Sequence, residues 1–160
     1  MKNKALILPP RFTSRSFTII ELIVVIIIVG ILAAVGVTQY ASIVEKSRTS
    51  EAKIRIGAMR QLAYEYYLNN GSVTGITNND LGIDDTCTST HYYRYAFRSA
   101  GPTYIYLDAH RCIPGAGGKS PSWDYAYRYY MLYYPASGGT IWYCYPTVQC
   151  QRVGIGLPEG

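Results

Sequence analysis

Charge and histidine are scarce in this chain of 160 residues, in which charged residues make up 16% and histidine occurs twice. Neither histidine belongs to a nucleophile–base arrangement, which argues against an enzyme. The first 16 residues contain no acid and hold four of the 15 basic residues: Lys2, Lys4, Arg11 and Arg15. The other 11 basic residues nearly balance 10 acids. The sequence therefore predicts no basic nucleic-acid-binding surface.

Proline is absent from residues 17–68, so nothing in this stretch forces a helix to break. Residues 17–37 form an apolar run that carries one charged side chain, Glu21. At 1.5 Å per residue the run spans about 32 Å, close to the thickness of a hydrocarbon core. The sequence predicts a membrane-spanning helix whose basic flank stays in the cytoplasm.

Residues 38–70 are predicted to continue this helix in amphipathic form. Apolar side chains spaced by three and four positions predict a buried stripe, formed by Tyr40, Ile43, Val44, Ile54, Ala58, Leu62 and Tyr66. Charged side chains are assigned to the remaining faces: Glu45, Lys46, Arg48, Glu51, Lys53, Arg55 and Arg60. The helix should end at Asn69–Gly71, because Gly71 suits a left-handed cap.

Residues 71–160 are predicted to form a globular β domain, since the hydrophobic period changes from 3.6 towards two. Four strands are predicted, at 91–98, 103–111, 125–134 and 140–145. Short segments rich in Gly and Pro separate the strands of each pair and predict two hairpins. The fold class is therefore α+β, with a four-stranded antiparallel sheet packed on the second half of the long helix.

The four cysteines all lie in the C-terminal half: Cys87, Cys112, Cys144 and Cys150. An even number in a small exported domain predicts two disulfides and an oxidising compartment. If the first hairpin turns near residues 100–101, Cys87 and Cys112 lie together at its open end. This geometry favours the pairs Cys87–Cys112 and Cys144–Cys150 among the three possible pairings.

Two metal sites are weaker alternatives, and no other cofactor is predicted. Two thiols and two imidazoles at one end of the first hairpin have the ligand chemistry of zinc: Cys87, His91, His110 and Cys112. An oxidising compartment favours a disulfide over that site. Three acids of the loop before the sheet offer oxygen ligands for calcium: Asp80, Asp84 and Asp85.

The segment Ser16–Leu22 resembles the processing site of type IV prepilins and type II secretion pseudopilins. In that family a basic leader is cut directly before a phenylalanine, the new amine is methylated, and a glutamate is fifth in the mature chain. Phe17 and Glu21 match these positions. Ser16 departs from the glycine that the family usually has before the cut, and Thr38 stands where a helix-bending proline is often found.

The resemblance implies a structural subunit with a pilin-like fold that assembles into a helical homopolymer. Prepilin peptidase would remove residues 1–16, and the pilus or secretion assembly machinery would polymerise the mature chain. Glu21 would pair with the Phe17 amine of a neighbour, which neutralises two charges that are costly in a low-dielectric setting. The precursor would span the bacterial inner membrane once and then enter an extracellular filament or a periplasmic pseudopilus.

Three alternatives remain open at this point. The chain could be the major pseudopilin of a type II secretion system, although its two cysteine pairs favour a pilus. Small residues at Ala34–Gly36 would also suit an ordinary signal peptidase, which would release a domain beginning at Val37. A membrane-anchored or secreted domain that never polymerises could use its tyrosines for binding, since 13 of the 17 lie within residues 92–145.

Overall fold

The computed structural model describes residues 17–119 and 126–155. The predicted leader 1–16, which includes Ser16, lies outside these residues. The chain divides into two units, the first ending at Thr38 and the second beginning at Gln39.

A single helix, α1, runs through Ile19–Asn70 and contributes to both units. Its N-terminal part is long and apolar enough to cross a membrane, and none of that apolar segment is buried. Every side chain from 17 to 37 is exposed. The helix ends where the sequence predicts, and Gly71 has a φ of 69° and donates its N–H to the carbonyl of Tyr67 at 2.7 Å.

The second unit contains a four-stranded antiparallel sheet, which confirms the predicted α+β fold. Its strands are β1 Tyr93–Ala100, β2 Ile105–Arg111, β3 Arg128–Tyr134 and β4 Gly139–Tyr145. They pair in sequence order, so each strand lies beside the next one in the chain. The predicted start of the third strand at Tyr125 lies outside the described residues.

A short helix, α2, runs through Thr147–Arg152, beyond the last predicted strand. Pro146 precedes it and lacks the N–H that the first turn of a helix leaves unpaired. The carbonyl of Pro146 accepts hydrogen bonds from the N–H groups of Gln149 and Cys150. Six residues are too few for a hydrophobic period to be recognised in the sequence.

The predicted buried stripe of the second half of α1 is correct only at Leu62 and Tyr66, which are partly buried against the core. Tyr40, Ile43 and Ile54 are 70%, 62% and 75% exposed. The buried face instead follows a regular spacing of four and three: Glu45, Thr49, Ala52, Ile56, Met59 and Ala63. Small side chains let the sheet approach closely, and the sheet supplies polar partners for Glu45. Apolarity alone therefore selected the wrong face.

The inner face of the sheet follows the predicted alternation. Tyr93 and Tyr95 of β1 are buried, and Phe97 is partly buried against the same core. Three residues of β2 are also buried: Ile105, Leu107 and Ala109. Together with the buried face of α1, these side chains form one hydrophobic core.

Candidate assembly site

The N-terminus of α1 is a capping box formed by Thr18 and Glu21. Glu21 Oε2 accepts hydrogen bonds from the backbone N–H and the hydroxyl of Thr18, both at 2.8 Å. In return, the N–H of Glu21 donates to Thr18 Oγ1 at 3.3 Å. The reciprocal pattern satisfies donors that the first turn of a helix leaves unpaired. It holds the Glu21 carboxylate beside Thr18, the residue that follows Phe17.

From the sequence, Glu21 is expected to be a charge within an apolar run and a partner for a neighbour's Phe17 amine, and its local bonds to Thr18 are not predicted. Thr18 followed three residues later by Glu21 is the sequence signature of a capping box, and it precedes a hydrophobic run. This pattern was sufficient to predict the cap. The carboxylate thus has a local structural role in the single chain, in addition to any role in assembly.

The apolar surface of residues 17–37 has no covering partner within the described part of this chain. Phe17 is 83% exposed, and the same exposure continues through the isoleucines and valines that follow. A soluble monomer rarely exposes so large a contiguous apolar surface. Such a surface is typical of a membrane-spanning segment or of a protein–protein interface.

In the second unit, a buried ion pair joins the long helix to the sheet. Glu45 on α1 and Arg111 at the end of β2 have side chains that are 1% and 0% exposed, and Arg111 Nε lies 2.5 Å from Glu45 Oε1. Arg48 Nη1 donates to the other Glu45 oxygen at 2.8 Å. Arg111 Nη1 also donates to the carbonyls of Tyr92 and Cys112. These partners compensate for the burial of both charges.

Two buried tyrosines extend this network. The Tyr127 hydroxyl donates to Glu45 Oε1 at 3.2 Å, so its oxygen is left to accept from the Tyr93 hydroxyl at 2.6 Å. Burial is the main cause that raises the pKa of Tyr93 and of Tyr127, and the nearby Glu45 carboxylate raises both further. Both phenols therefore stay protonated to a higher pH than an exposed tyrosine does.

Glu51 makes a second connection between α1 and the beginning of the sheet. Its Oε1 accepts hydrogen bonds from the N–H of Tyr92 and from the Tyr95 hydroxyl, each at 3.1 Å. Burial, followed by the Glu51 charge, raises the pKa of Tyr95. The carboxylates of Glu45 and Glu51 thus join α1 to the sheet region at two positions along the helix. The sequence analysis placed both on faces away from the sheet.

The structure contains two disulfides, Cys87–Cys112 and Cys144–Cys150, the pairs favoured in the sequence analysis. The first connects the loop before β1 to the residue after β2, and the second connects β4 to α2. The backbone of Gly118 packs closely against the first disulfide. A Cβ added at Gly118 would lie 2.6 Å from Cys112 Cβ. Cys87 and Cys112 are bonded to each other, so neither sulfur is available as a thiolate ligand for zinc.

The three calcium candidates have separate surroundings. Asp80 Oδ2 accepts from the N–H and the hydroxyl of Thr77, and these bonds lower the pKa of Asp80. Asp85 accepts from Arg94 Nη1 at 2.9 Å, and Asp84 is exposed. Within residues 17–119 and 126–155, no three His, Cys, Asp or Glu side chains form a group that could hold a metal ion.

A family profile and several known proteins match part of this chain. The family profile described as the prokaryotic N-terminal methylation motif matches residues 11–37. The chain is 41% identical over 69 residues to a fimbrial protein of Neisseria meningitidis serogroup B, a match that covers 43% of this chain and 40% of the relative.

Two further relatives extend the comparison. The type IV major pilin protein PilE1 of Neisseria gonorrhoeae is 44% identical over 69 residues, which cover 43% of this chain and 31% of the relative. The fimbrial protein EcpC of Eikenella corrodens is 36% identical over 87 residues, which cover 54% of this chain and 56% of the relative. The chain thus matches between about a third and somewhat more than half of the length of these three relatives.

The described chain has a helix that is long and apolar enough to cross a membrane, a four-stranded antiparallel sheet, and a prokaryotic N-terminal methylation motif. The family match covers residues 11–37, and the matched relatives are named as fimbrial proteins and type IV pilins. These relatives are structural proteins, and the prediction that this chain is not an enzyme agrees with them.

Proposed function

We propose that this chain is the structural subunit of a type IV pilus-like filament, assembled through its N-terminal helix. The observation that carries the proposal is the apolar segment 17–37, which is wholly exposed in the single chain and has Glu21 in a capping box at the first turn of α1. Such a surface suits lipid before assembly and neighbouring helices afterwards. The matches to fimbrial proteins add support.

In this proposal, prepilin peptidase cuts before Phe17, and the new amine is methylated. The precursor resides in the inner membrane as a single-pass protein, and the pilus assembly machinery then moves it into an extracellular filament. The relatives are named as fimbrial proteins and pilins, which favours a pilus over a secretion pseudopilus.

Glu21 pairs with the Phe17 amine of a neighbouring subunit in the assembled state. The capping box supports this role, since it positions the carboxylate while using only part of its capacity to accept hydrogen bonds. An ammonium group and a carboxylate that are both removed from water need each other as partners. The pair would set the axial register between subunits.

The second half of α1 carries another surface that suits neighbouring subunits. We name this surface the outer helix stripe, and its members are Tyr40, Ile43, Ile54 and Leu68. All four side chains are more than half exposed and lie on faces of α1 other than the one covered by the sheet. Contact with the helices of other subunits would bury them.

Two measurements test the proposal. Intact mass and N-terminal sequencing of protein from cells should give a chain that begins at Phe17 and is heavier by one methyl group. The Glu21→Ala variant should form few or no filaments by electron microscopy, while both disulfides of its sheet domain still form. A chain that begins at Val37, or normal filaments from this variant, would contradict the proposal.

A further inference from the structure

The sheet face turned away from α1 carries basic side chains at the end where β1 begins. The register places Arg94 opposite His110, His110 opposite Arg128, and Arg128 opposite Tyr145, so these residues form one row across the four strands. Each of the three basic residues alternates with buried residues of the inner face. Side chains directly opposite each other are close neighbours, and like charges in such positions repel. We call Arg94, His110 and Arg128 the basic row.

Two arginines at this end of the sheet already have carboxylate partners. Arg94 Nη1 donates to Asp85 Oδ1 at 2.9 Å. The buried Arg111, on the inner face of β2, is paired with Glu45 of α1. In formal charge each pair cancels, so neither arginine adds an excess of positive charge.

A buried carboxylate lies close to His110 but does not neutralise the basic row. Asp108 is 1% exposed, and its Oδ2 lies 3.6 Å from His110 Nε2. The same oxygen lies 3.7 Å from Arg98 Nε. The charge of Asp108 is therefore offset by Arg98, which stands outside the row.

Arg128 is the member of the basic row whose charge is left unbalanced. Its guanidinium lies 5.6 Å from the ring centroid of Tyr130 and 5.0 Å from that of Tyr145. These contacts orient the cation without cancelling its charge. Among the residues that the structure describes, the buried Nε of Arg128 has no hydrogen-bond acceptor. A buried donor without an acceptor is costly, so this place favours an anionic ligand.

A cavity of about 730 Å³ lies over the basic row, and all three members of the row line it. Ile113, Ala116 and Pro146 add apolar surface to its walls. Small-molecule sites have volumes of about 300–1,000 Å³. The cavity is thus large enough for an organic molecule that has an anionic group at one end and an apolar part at the other.

The donors of the basic row select the class of anion. A phosphate monoester carries a charge close to −2 at neutral pH and has three oxygens that accept hydrogen bonds. A guanidinium binds such oxygens with two parallel N–H groups. From this match we propose that the cavity binds a small organic phosphate, with Arg128 as the main anion-binding residue and His110 beside it.

Calorimetric titration of the full chain tests the proposal with phenyl phosphate, inorganic phosphate and benzyl alcohol. The chain is kept in a maltoside detergent and in a buffer without phosphate or sulfonate, at about pH 8, where the monoester is a dianion. Phenyl phosphate should bind, and its affinity should fall as salt is added. Inorganic phosphate should bind more weakly, and benzyl alcohol should not bind. No binding of phenyl phosphate at about 10 mM would overturn the proposal.

Arg128→Gln should weaken the binding of phenyl phosphate by about tenfold. The matched control is Arg60→Gln, which removes the same charge. Arg60 is exposed on α1, lies 5.9 Å from the ring centroid of Tyr133, and does not line the cavity. Its variant should stay within about twofold of the parent chain. Equal losses in the two variants would show a response to net charge alone and would refute the site.

Ala116→Phe provides a second test that keeps every charge. Ala116 is exposed and lines the cavity, so a larger side chain there should fill part of the space without disturbing the core. Phenyl phosphate should bind this variant about tenfold more weakly. This variant decides the question if Arg128→Gln fails to fold by circular dichroism. An unchanged affinity would place the ligand outside the cavity and contradict the proposal.

Two further probes distinguish the sources of a phosphate group. Dihexanoyl phosphatidic acid carries a monoester on a lipid, so tighter binding than phenyl phosphate identifies a lipid headgroup, and weaker binding identifies a soluble phosphate; both results support the site. Binding of dodecathymidylate without binding of either monoester would assign the basic row to a nucleic-acid backbone and refute the proposal. These titrations do not require filaments, so the proposed function is tested separately.

Discussion

Glu45 and Arg111 are 66 positions apart in the chain and form a buried ion pair between α1 and β2. Removal of Glu45 would deprive the buried Arg111 guanidinium of its carboxylate partner. Glu45→Ala should therefore lower the free energy of unfolding by about 3–5 kcal/mol. Chemical denaturation measures this loss.

Glu65→Ala is the control for this prediction, since Glu65 is an exposed acid on the same helix. It should change the free energy of unfolding by less than about 0.5 kcal/mol. The double variant Glu45→Leu/Arg111→Met removes both charges together and should be more stable than Glu45→Ala alone. Equal stability of Glu45→Ala and the parent chain would exclude the ion pair as a stabilising contact.

Alkaline pH should destabilise the sheet domain through three buried tyrosines. Burial raises the pKa of Tyr93, Tyr95 and Tyr127 above the value of an unfolded chain. Their contribution to stability is complete below about pH 10 and is lost as the pH rises towards the folded pKa values, because the unfolded chain releases these protons first. Denaturation midpoints measured across this range should fall.

Tyrosinate absorbance provides a second readout for the alkaline transition. These phenols should ionise together with unfolding and not before it. Tyr127→Phe should reduce the dependence of stability on alkaline pH, because one raised pKa is removed. A midpoint that is flat through this range would contradict the prediction.

The two roles of Glu21, as a helix cap and as an assembly residue, can be separated by substitution. Glu21→Gln can keep the capping hydrogen bonds but loses the charge, whereas Thr18→Ala loses the two hydrogen bonds of the Thr18 hydroxyl and keeps the charge. If the neighbour's amine is the partner, Glu21→Gln should abolish filaments and Thr18→Ala should still assemble. Counting filaments by electron microscopy, with membrane fractionation as the control for insertion, decides the question. The reverse result would show that Glu21 acts only as a cap.

Gly118 should be required for the Cys87–Cys112 disulfide. It has a φ of +101°, and a Cβ there would lie 2.6 Å from Cys112 Cβ. Gly115 is the matched control, since it has a φ of +87° but no atom within 4 Å of an added Cβ.

Alanine at either glycine incurs the penalty of a left-handed backbone, but only Gly118→Ala also creates the clash. The free energy of unfolding should therefore be lower for Gly118→Ala than for Gly115→Ala by about 1–3 kcal/mol. Thiol alkylation followed by mass spectrometry should detect free Cys87 and Cys112 only in Gly118→Ala. Indistinguishable variants would show that the loop moves to accommodate the methyl group.

The outer helix stripe predicts an assembly defect without a folding defect. Ile54 is 75% exposed, so Ile54→Lys should change the free energy of unfolding by less than about 0.5 kcal/mol. A charge at a helix–helix contact should nevertheless reduce the number of filaments severely. Filament counts at equal expression level test this. Normal filaments would place Ile54 outside the contacts between subunits.

The sequence by itself determined the elements whose signals are local. The long apolar run specifies the membrane-competent part of α1, Gly71 marks its end, and alternation specifies the inner faces of β1 and β2. The capping box of Thr18 and Glu21 was equally readable, because its partners are three residues apart. Such features depend on the hydrophobic period, the length of a segment and its neighbouring residues, and all of these can be read from the linear sequence.

Only the tertiary structure decided which face of the second half of α1 is buried. The sequence analysis selected apolar Ile54 and assigned Glu45 to solvent, whereas the sheet buries Glu45 and leaves Ile54 exposed. A carboxylate can be buried only where a distant part of the chain supplies its partners, and these are Arg111 and Tyr127. Contacts between residues so far apart in the chain are set by strand register and helix rotation, which local patterns do not encode.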